Sequence, residues 1–474
     1  MKPVFRFISL LSLYFVVTAC KEKSYDPFTS DTDVNHWIYD QMKLWYYWED
    51  KIPANPDYQS SPDLFFNSLL YSFDAGQRPD GDRFSWIQNN VDELTSSLSG
   101  ETVTLGMEYR ITASASLNRT FGTVLYTLPG SPADIAGLKR GDVFTRINGQ
   151  DITSSNYRTL LSGTGEKKFT VALLNTASNS FDSIATAAAT PVRFQEDPVH
   201  FYSVRTIGNK KIAYLVYHQF YPSTNGTSDK KYDQKLESVF DEFRKQQVDE
   251  LIVDLRYNSG GYVSSAVHLA SLIARSVTDK NIFSIKEYNP GITKTLKKKY
   301  GSDYFEDHFS IKEQNIGSLI DRVYVLTSRR TASASELLIN GLTPYMPVKV
   351  VGETTLGKNV GSVTISDAKK RTKWGLQPIV SKSFNSLKMS EYTSGFRPDF
   401  PAVEGLRIYP YGDEQDPLLQ VALSAITGSA ISTARKADTG SKDVLFTEIA
   451  SSISGKAVFG SMFEELPDID SRDK

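Results

Sequence analysis

A serine and a lysine 25 positions apart, Ser333 and Lys358, carry the clearest suggestion of chemistry in this 474-residue chain. The serine sits in Thr331-Ala332-Ser333-Ala334-Ser335-Glu336 and the lysine in Gly352-Glu353-Thr354-Thr355-Leu356-Gly357-Lys358, each beside small residues. A serine hydroxyl is a weak nucleophile at neutral pH until a base takes its proton. A lysine stripped of water can be that base, because desolvation disfavours its charged form. The pair suggests a Ser/Lys hydrolase. If Ser333 opens a helix running through Glu336-Leu337-Leu338-Ile339, the N–H groups of its first turn lie where an acyl oxyanion would form, and Ala334 is the candidate donor. Capping by Thr331 and Ser333 and a solvated Lys358 would account for the same residues taken alone, so the elements around them decide.

A third segment supplies that context. Leu251-Ile252-Val253-Asp254-Leu255-Arg256-Tyr257-Asn258-Ser259-Gly260-Gly261 reads as an apolar strand entering a glycine-rich turn, followed by a helix over Val263 to Ala274. Gly260 and Gly261 let the main chain approach a ligand closely, which makes a second oxyanion donor plausible. The order Asp-Leu-Arg-x-Asn-x-Gly-Gly, Ser-Ala-Ser-Glu, Gly-Glu-x-x-x-Gly-Lys resembles the carboxyl-terminal processing peptidases, or tail-specific proteases. The resemblance extends to Lys211-Ile212-Ala213-Tyr214-Leu215-Val216 and Gly395-Phe396-Arg397-Pro398-Asp399, and covers about Val103 to Leu423. It implies Ser333 as nucleophile, Lys358 as general base, and N–H groups of Ala334 and the Gly260-Gly261 turn as the oxyanion hole. Better-known members carry a glutamine four residues after the lysine, where it orients the amine; here Ser362 stands there, with a shorter reach. Glu336 either orients Lys358 or complements the helix N-terminus.

Upstream, Leu128-Pro129-Gly130-Ser131-Pro132 opens a run that continues to Asn148-Gly149. It reads as a turn, a short helix Pro132 to Ala136 ended by Gly137, and a strand Val143 to Ile147 closed by Asn-Gly. This resembles a PDZ domain, which implies capture of an extended peptide as an added strand. Leu105-Gly106-Met107 fits the carboxylate loop, with Tyr109 and Ile111 on the next strand.

The remaining chain positions and delivers these parts. Lys2 and Arg6 precede an apolar stretch from Phe7 to Val17, which reads as an export signal. Val17-Thr18-Ala19-Cys20 resembles a bacterial lipobox, implying a lipid anchor on Cys20 and a place in the bacterial cell envelope, periplasmic or surface-facing. Cys20 is the chain's one cysteine, which removes disulfides and thiolate chemistry. His36 to Trp48 and Pro62 to Tyr71 read as helices whose aromatics serve a core, with ligand binding by Trp37, Trp45 and Trp48, or by Asp82 to Trp86, as the alternative. A net charge of −2 offers no broad basic surface for nucleic acid, and Lys294 to Lys299 reads as a solvated loop. The five histidines lack ligand spacing, so no metal or cofactor is expected; His218 alone is placed near the cleft, and reads as a structural histidine before a catalytic one. Strands near Ile212 to Val216, Leu251 to Asp254, Val323 to Thr327 and Val348 to Gly352, with a helix over Tyr232 to Gln247, give an α/β fold. The expected organisation is a signal peptide (1–19), a tether (20–33), a helical N-terminal domain (34–95), a PDZ domain (103–174), a mixed-sheet tail-specific protease core (195–428) and a C-terminal extension (429–474) of no clear role. The expected function is a serine endopeptidase acting on unstructured C-terminal tails of proteins or peptides; the alternative is a catalytically weak or inactive lipid-anchored peptide-binding adaptor.

Overall fold

Runs such as Ile212 to Val216 and Leu251 to Val253 have no polar side, so strands built from them need cover on both faces. The computed structural model describes residues 25–115, 117–175, 180–223, 229–429, 446–456 and 459–469. In it these runs form the middle of a six-stranded sheet. Its order is Val199–Ile207, Lys210–Tyr217, Glu250–Asp254, Val323–Thr327, Val348–Gly352 and Phe400–Pro401, with only the first pair antiparallel. Ala213, Leu215, Leu251, Val253, Val323 and Val325 share one core cluster with the helices Lys231–Lys245, Val263–Ile273 and Ala334–Leu342. Their alternates Ile212, Tyr214, Ile252, Tyr324 and Leu326 pack with Leu418, Leu419 and Ala422 of the helix Pro417–Thr427. The two-residue period of the strands thus feeds a helix layer on each face.

A second sheet runs in the order Gly261–Tyr262, Met462–Phe463, Val360–Ser362, Ile379–Asn385, Ile282–Tyr288 and Glu306–His308. The aromatic helix expected near the N-terminus spans Asp31–Trp45, capped by Ser30, and buries Trp37, Ile38, Met42 and Trp45. These side chains join Phe65 and Phe66 of the helix Pro62–Ser68 and Leu376 and Val380 beside the second sheet. Trp37 and Trp45 therefore serve a core, not a ligand surface. The second helix stops before Tyr71 because the Tyr71 N–H donates to the Tyr46 hydroxyl (3.0 Å) instead of a helix carbonyl. The lysine run expected as a loop lies in the helix Pro290–Tyr300, where Asn289 caps the start and Lys297, Lys298 and Lys299 complement the C-terminal dipole.

The PDZ-like module is a sheet ordered Phe446–Ser451, Met107–Ser114, Arg119–Thr127, Val143–Ile147, Lys167–Asn175 and Ser180–Ala189, with Gln150–Asp151 paired to Val143–Ile147. Its short helix Pro132–Ile135 is capped by Ser131. Arg140 leaves this module to donate to the Tyr409 carbonyl (2.7 Å), the Tyr257 hydroxyl (3.0 Å) and Glu404 (2.7 Å), which also receives Arg256. The C-terminal extension does more than the sequence indicated: Phe446–Ser451 joins the PDZ-like sheet and Met462–Phe463 joins the second sheet. The export signal, Cys20 and residues 21–24 of the tether lie outside the described residues, as do 430–445 and 470–474.

Candidate active site

The strand Val323–Thr327 enters the helix Ala334–Leu342 through a turn, and Ser333 stands at the junction with φ 61° and ψ −114°. Such a backbone costs on the order of 1–3 kcal/mol and persists only where its neighbours over-determine it. The Ser333 N–H donates to Glu336 Oε2 (2.8 Å), and the Ser333 carbonyl accepts from Leu337 N–H (2.7 Å). Just before it, the Thr331 hydroxyl donates to the Leu255 carbonyl (2.8 Å) and Ala332 N–H to the Asn258 carbonyl (3.2 Å). Ser333 is fully buried, and its Oγ has no hydrogen-bond partner, so the hydroxyl and the Lys358 amine are not bonded in this state.

Glu336 joins the two candidate reactive residues through their main chains. Its Oε2 accepts Lys358 N–H (2.8 Å) as well as Ser333 N–H, while Oε1 accepts Gly357 N–H (2.7 Å) and the Thr355 hydroxyl (2.5 Å). One carboxylate thus meets the helix N-terminus and holds the main chain, not the amine, of Lys358. Burial pushes its carboxyl up to about 7, against the bonds from Thr355, Lys358, Ser333 and Gly357. Lys358 is 1% exposed, and burial pulls its ammonium down to about 7, opposed by Asp82 and Glu336 and aided by Arg83. A substantial fraction of the amine is therefore unprotonated at neutral pH, as a general base requires.

The roof over this lysine comes from the far end of the chain. Lys358 Nζ lies 4.8 Å from the Phe84 ring centre. Arg83 donates to the Gly357 (2.5 Å) and Thr393 (3.0 Å) carbonyls, and Asp82 accepts from the Tyr46 hydroxyl (2.9 Å) and Phe84 N–H (2.8 Å). Asp82 to Trp86 had stood out in sequence as a possible ligand surface. Asp82, Arg83 and Phe84 instead lie about Lys358 and the loop that carries it, and no local pattern could reveal that partner.

The glycine turn is close to Ser333 but already engaged. Gly260 has φ 116°, and a Cβ there would stand 2.7 Å from Ser333 Cβ, so the approach requires glycine. Gly260 N–H donates to Asn258 Oδ1 (2.9 Å) and Gly261 N–H to the Ser461 carbonyl (2.8 Å). Neither is an open oxyanion donor in this state, a correction to the expectation from sequence. Ala334 N–H, first in its helix, has no intrahelical acceptor and remains the suitable donor.

Two further expectations change. Ser362 does not spend its hydroxyl on the amine: it donates to the Met462 carbonyl (3.2 Å), and the Ser362 carbonyl accepts Glu464 N–H (3.2 Å). The Leu105-Gly106-Met107 loop is closed on itself, with Gly106 N–H on Thr104 Oγ1 (3.0 Å), the Gly106 carbonyl taking Leu128 N–H (2.7 Å), and Leu105 and Met107 buried in the module's core. His218 is stacked on Tyr126 (3.8 Å) and His200 (4.3 Å), and its Nε2 meets the Tyr411 hydroxyl (3.0 Å). Burial holds His218 well below the usual imidazole range, as suits a structural residue.

Comparison with known proteins follows the same divisions. Residues 211–401 match Peptidase family S41, 33–86 match the Peptidase S41 N-terminal domain, and 123–175 match a PDZ domain. A "Carboxyl-terminal-processing protease" of Picosynechococcus sp. is 26% identical over 268 residues, 56% of this chain and 57% of that protein. A "Probable CtpA-like serine protease" of Staphylococcus aureus is 25% identical over 273 residues, 57% of this chain and 47% of that protein. The chain thus spans about half the length of the curated relatives it matches. A solved structure assigned to S41 from Bacteroides fragilis superposes with a TM-score of 0.68 at 24% identity, covering 86% of this chain and 99% of that one, and shows the shared fold. The S41 match contains both Ser333 and Lys358, and the S41 N-terminal match contains the residues that roof the lysine, so the chain belongs to peptidase family S41 and carries a PDZ domain.

Proposed function

We propose that this protein is a serine endopeptidase that takes unstructured C-terminal tails on its PDZ domain and hydrolyses them with Ser333 and Lys358. The observation that carries the reading is the single buried Glu336 carboxylate that holds the main chains of both residues, beside an amine whose burial brings it to about 7. In the reaction the neutral Lys358 amine takes the Ser333 proton as Oγ attacks the scissile carbonyl carbon. Ala334 N–H stabilises the oxyanion, and the Lys358 ammonium returns the proton to the leaving amine. Water then attacks the acyl-enzyme, giving its proton to Lys358, and the ammonium passes that proton to Ser333 Oγ as the acyl C–O bond breaks and the acid is released. The run Val17-Thr18-Ala19-Cys20 supports a lipid anchor on Cys20 and residence in the bacterial cell envelope.

A second reading, an idle peptide-binding adaptor, is favoured by one observation: the Ser333 hydroxyl is unbonded. A strained nucleophile backbone and a desolvated lysine have no use in an adaptor, which is why the peptidase reading stands first. The test is incubation of the protein lacking residues 1–20 with unfolded proteins differing only in their C-termini, with fragments read by mass spectrometry. Tail-dependent cleavage, absent from Ser333→Ala and Lys358→Ala, is the expected result. Cleavage that persists in Ser333→Ala overturns the assignment, and binding without cleavage supports the adaptor.

A further inference from the structure

The strand Phe446–Ser451 lies antiparallel along Met107–Ser114, with Phe446 opposite Ser114 and Ser451 opposite Arg110. That edge follows the Leu105-Gly106-Met107 loop and is where a PDZ domain adds an extended peptide. The segment also runs toward that loop, as an added C-terminal peptide would. Pairing continues at Ser452, whose N–H donates to the Tyr109 carbonyl (2.9 Å) and whose hydroxyl accepts Tyr109 N–H (2.8 Å). Ile449 and Ala450 pack on the module's core cluster.

Ionic contacts fasten the segment at both ends. Lys456 pairs with Glu108 (2.7 Å) and Glu196 (3.2 Å), and Glu448 pairs with Arg330, three residues before the nucleophile. Further along, Ser461 takes Gly261 N–H, and Met462–Phe463 lies between Gly261–Tyr262 and Val360–Ser362. The same end of the chain therefore reaches the peptide edge of the PDZ domain and the glycine turn beside Ser333.

We propose that Phe446–Lys456 is a ligand in cis for the PDZ groove, one that an incoming unstructured tail displaces. The inference rests on the peptidase reading above. Thr447 and Glu448 are exposed and the strand joins the sheet edge by main-chain bonds, as an added peptide does, while Ile449 and Ala450 on the core and Lys456 on the buried Glu108 and Glu196 hold it in place; Met462, fully buried, anchors the segment. A tethered competitor keeps a high effective concentration, and a peptide in trans binds with its affinity reduced by the fraction of groove left open.

The test uses the protein lacking residues 1–20 with Ser333→Ala, alone and combined with Lys456→Glu or Ser452→Ala. The probe is a fluorescent peptide copying residues 446–452. Lys456→Glu faces Glu108 and Glu196 with like charge, and the probe should bind it about tenfold more tightly than the Ser333→Ala parent. Amides of residues 107–114 should lose hydrogen-exchange protection in that variant and regain it with the probe. Ser452→Ala, which leaves every charge in place, should shift both readouts the same way by less, and it carries the test if Lys456→Glu does not fold. Equal affinity in all three proteins with unchanged protection, or no probe binding to any of them, overturns the inference. Cleavage by the Ser333-intact protein is scored separately: exchange without cleavage refutes the peptidase reading alone, and cleavage without exchange refutes the cis ligand alone.

Discussion

Replacing Lys358 by methionine should stabilise the protein while abolishing its activity. Methionine has nearly the same length and no charge, so it removes the cost of keeping an amine in a dry site. Burial takes Lys358 from its ordinary 10.5 to about 7. Each unit corresponds to about 1.4 kcal/mol, so the buried amine costs up to ~5 kcal/mol below pH 7, and about half of that if the site relaxes. The sign follows from proton counting. Between pH 7 and 10.5 the unfolded chain holds a proton on this amine that the folded chain lacks, so wild-type stability rises with pH across that window. Lys358→Met lacks this contribution. Its advantage should therefore be greatest at and below pH 7, at about 2–5 kcal/mol, and shrink toward pH 10.5. Urea denaturation of both proteins at about pH 6, 8 and 10 measures the difference directly. A Lys358→Met protein that is less stable than wild type at the lowest pH, or a gap that does not change with pH, would refute a desolvated amine and with it the proposed base.

Three other outcomes test different parts of the structure. Gly260→Ala should lower kcat/KM by at least about a hundredfold, because its Cβ would meet both Ser333 Cβ (2.7 Å) and the Ser461 carbonyl (2.5 Å); steady-state assays on an unfolded substrate would show it. Arg140→Ala should cost about 3–5 kcal/mol in thermal or urea unfolding, since it strips a buried partner from Glu404 and loosens the seam between the PDZ domain and the core. Burial takes His200 from 6.5 down to about 4, so the unfolded chain binds the extra proton between those values, and stability should fall by about 3 kcal/mol as pH drops through this window. In His200→Phe that acid sensitivity should be reduced.

The sequence was most legible where apolar runs left no choice of burial. Val143–Ile147, Val323–Thr327 and Val348–Gly352 form strands at the expected residues, because a short run of β-branched side chains between turn formers has few other folds open to it. Ser333 and Lys358 were legible for a different reason, since their neighbours are small and their motifs lie in a recognisable order. The contributions of Asp82, Arg83 and Phe84 were not. They act on Lys358 across most of the chain's length, and nothing in their own neighbourhood encodes that partner. The C-terminal extension was hidden more thoroughly, because edge and inserted strands such as Phe446–Ser451 and Met462–Phe463 are short and take their structure from the sheets they enter.

Glu336 shows how a residue can be placed correctly in sequence yet understood only in three dimensions. At the third position of its helix it reads as a carboxylate facing the helix N-terminus, and it does accept Ser333 N–H there. That position also aims its second oxygen at the loop carrying Thr355, Gly357 and Lys358. Replacing it by alanine would leave three N–H donors unsatisfied, each costing about 1–3 kcal/mol, so the separation of nucleophile and base is set by main-chain bonds instead of a contact between their side chains. Such a site can hold its Ser333 hydroxyl unbonded and remain assembled.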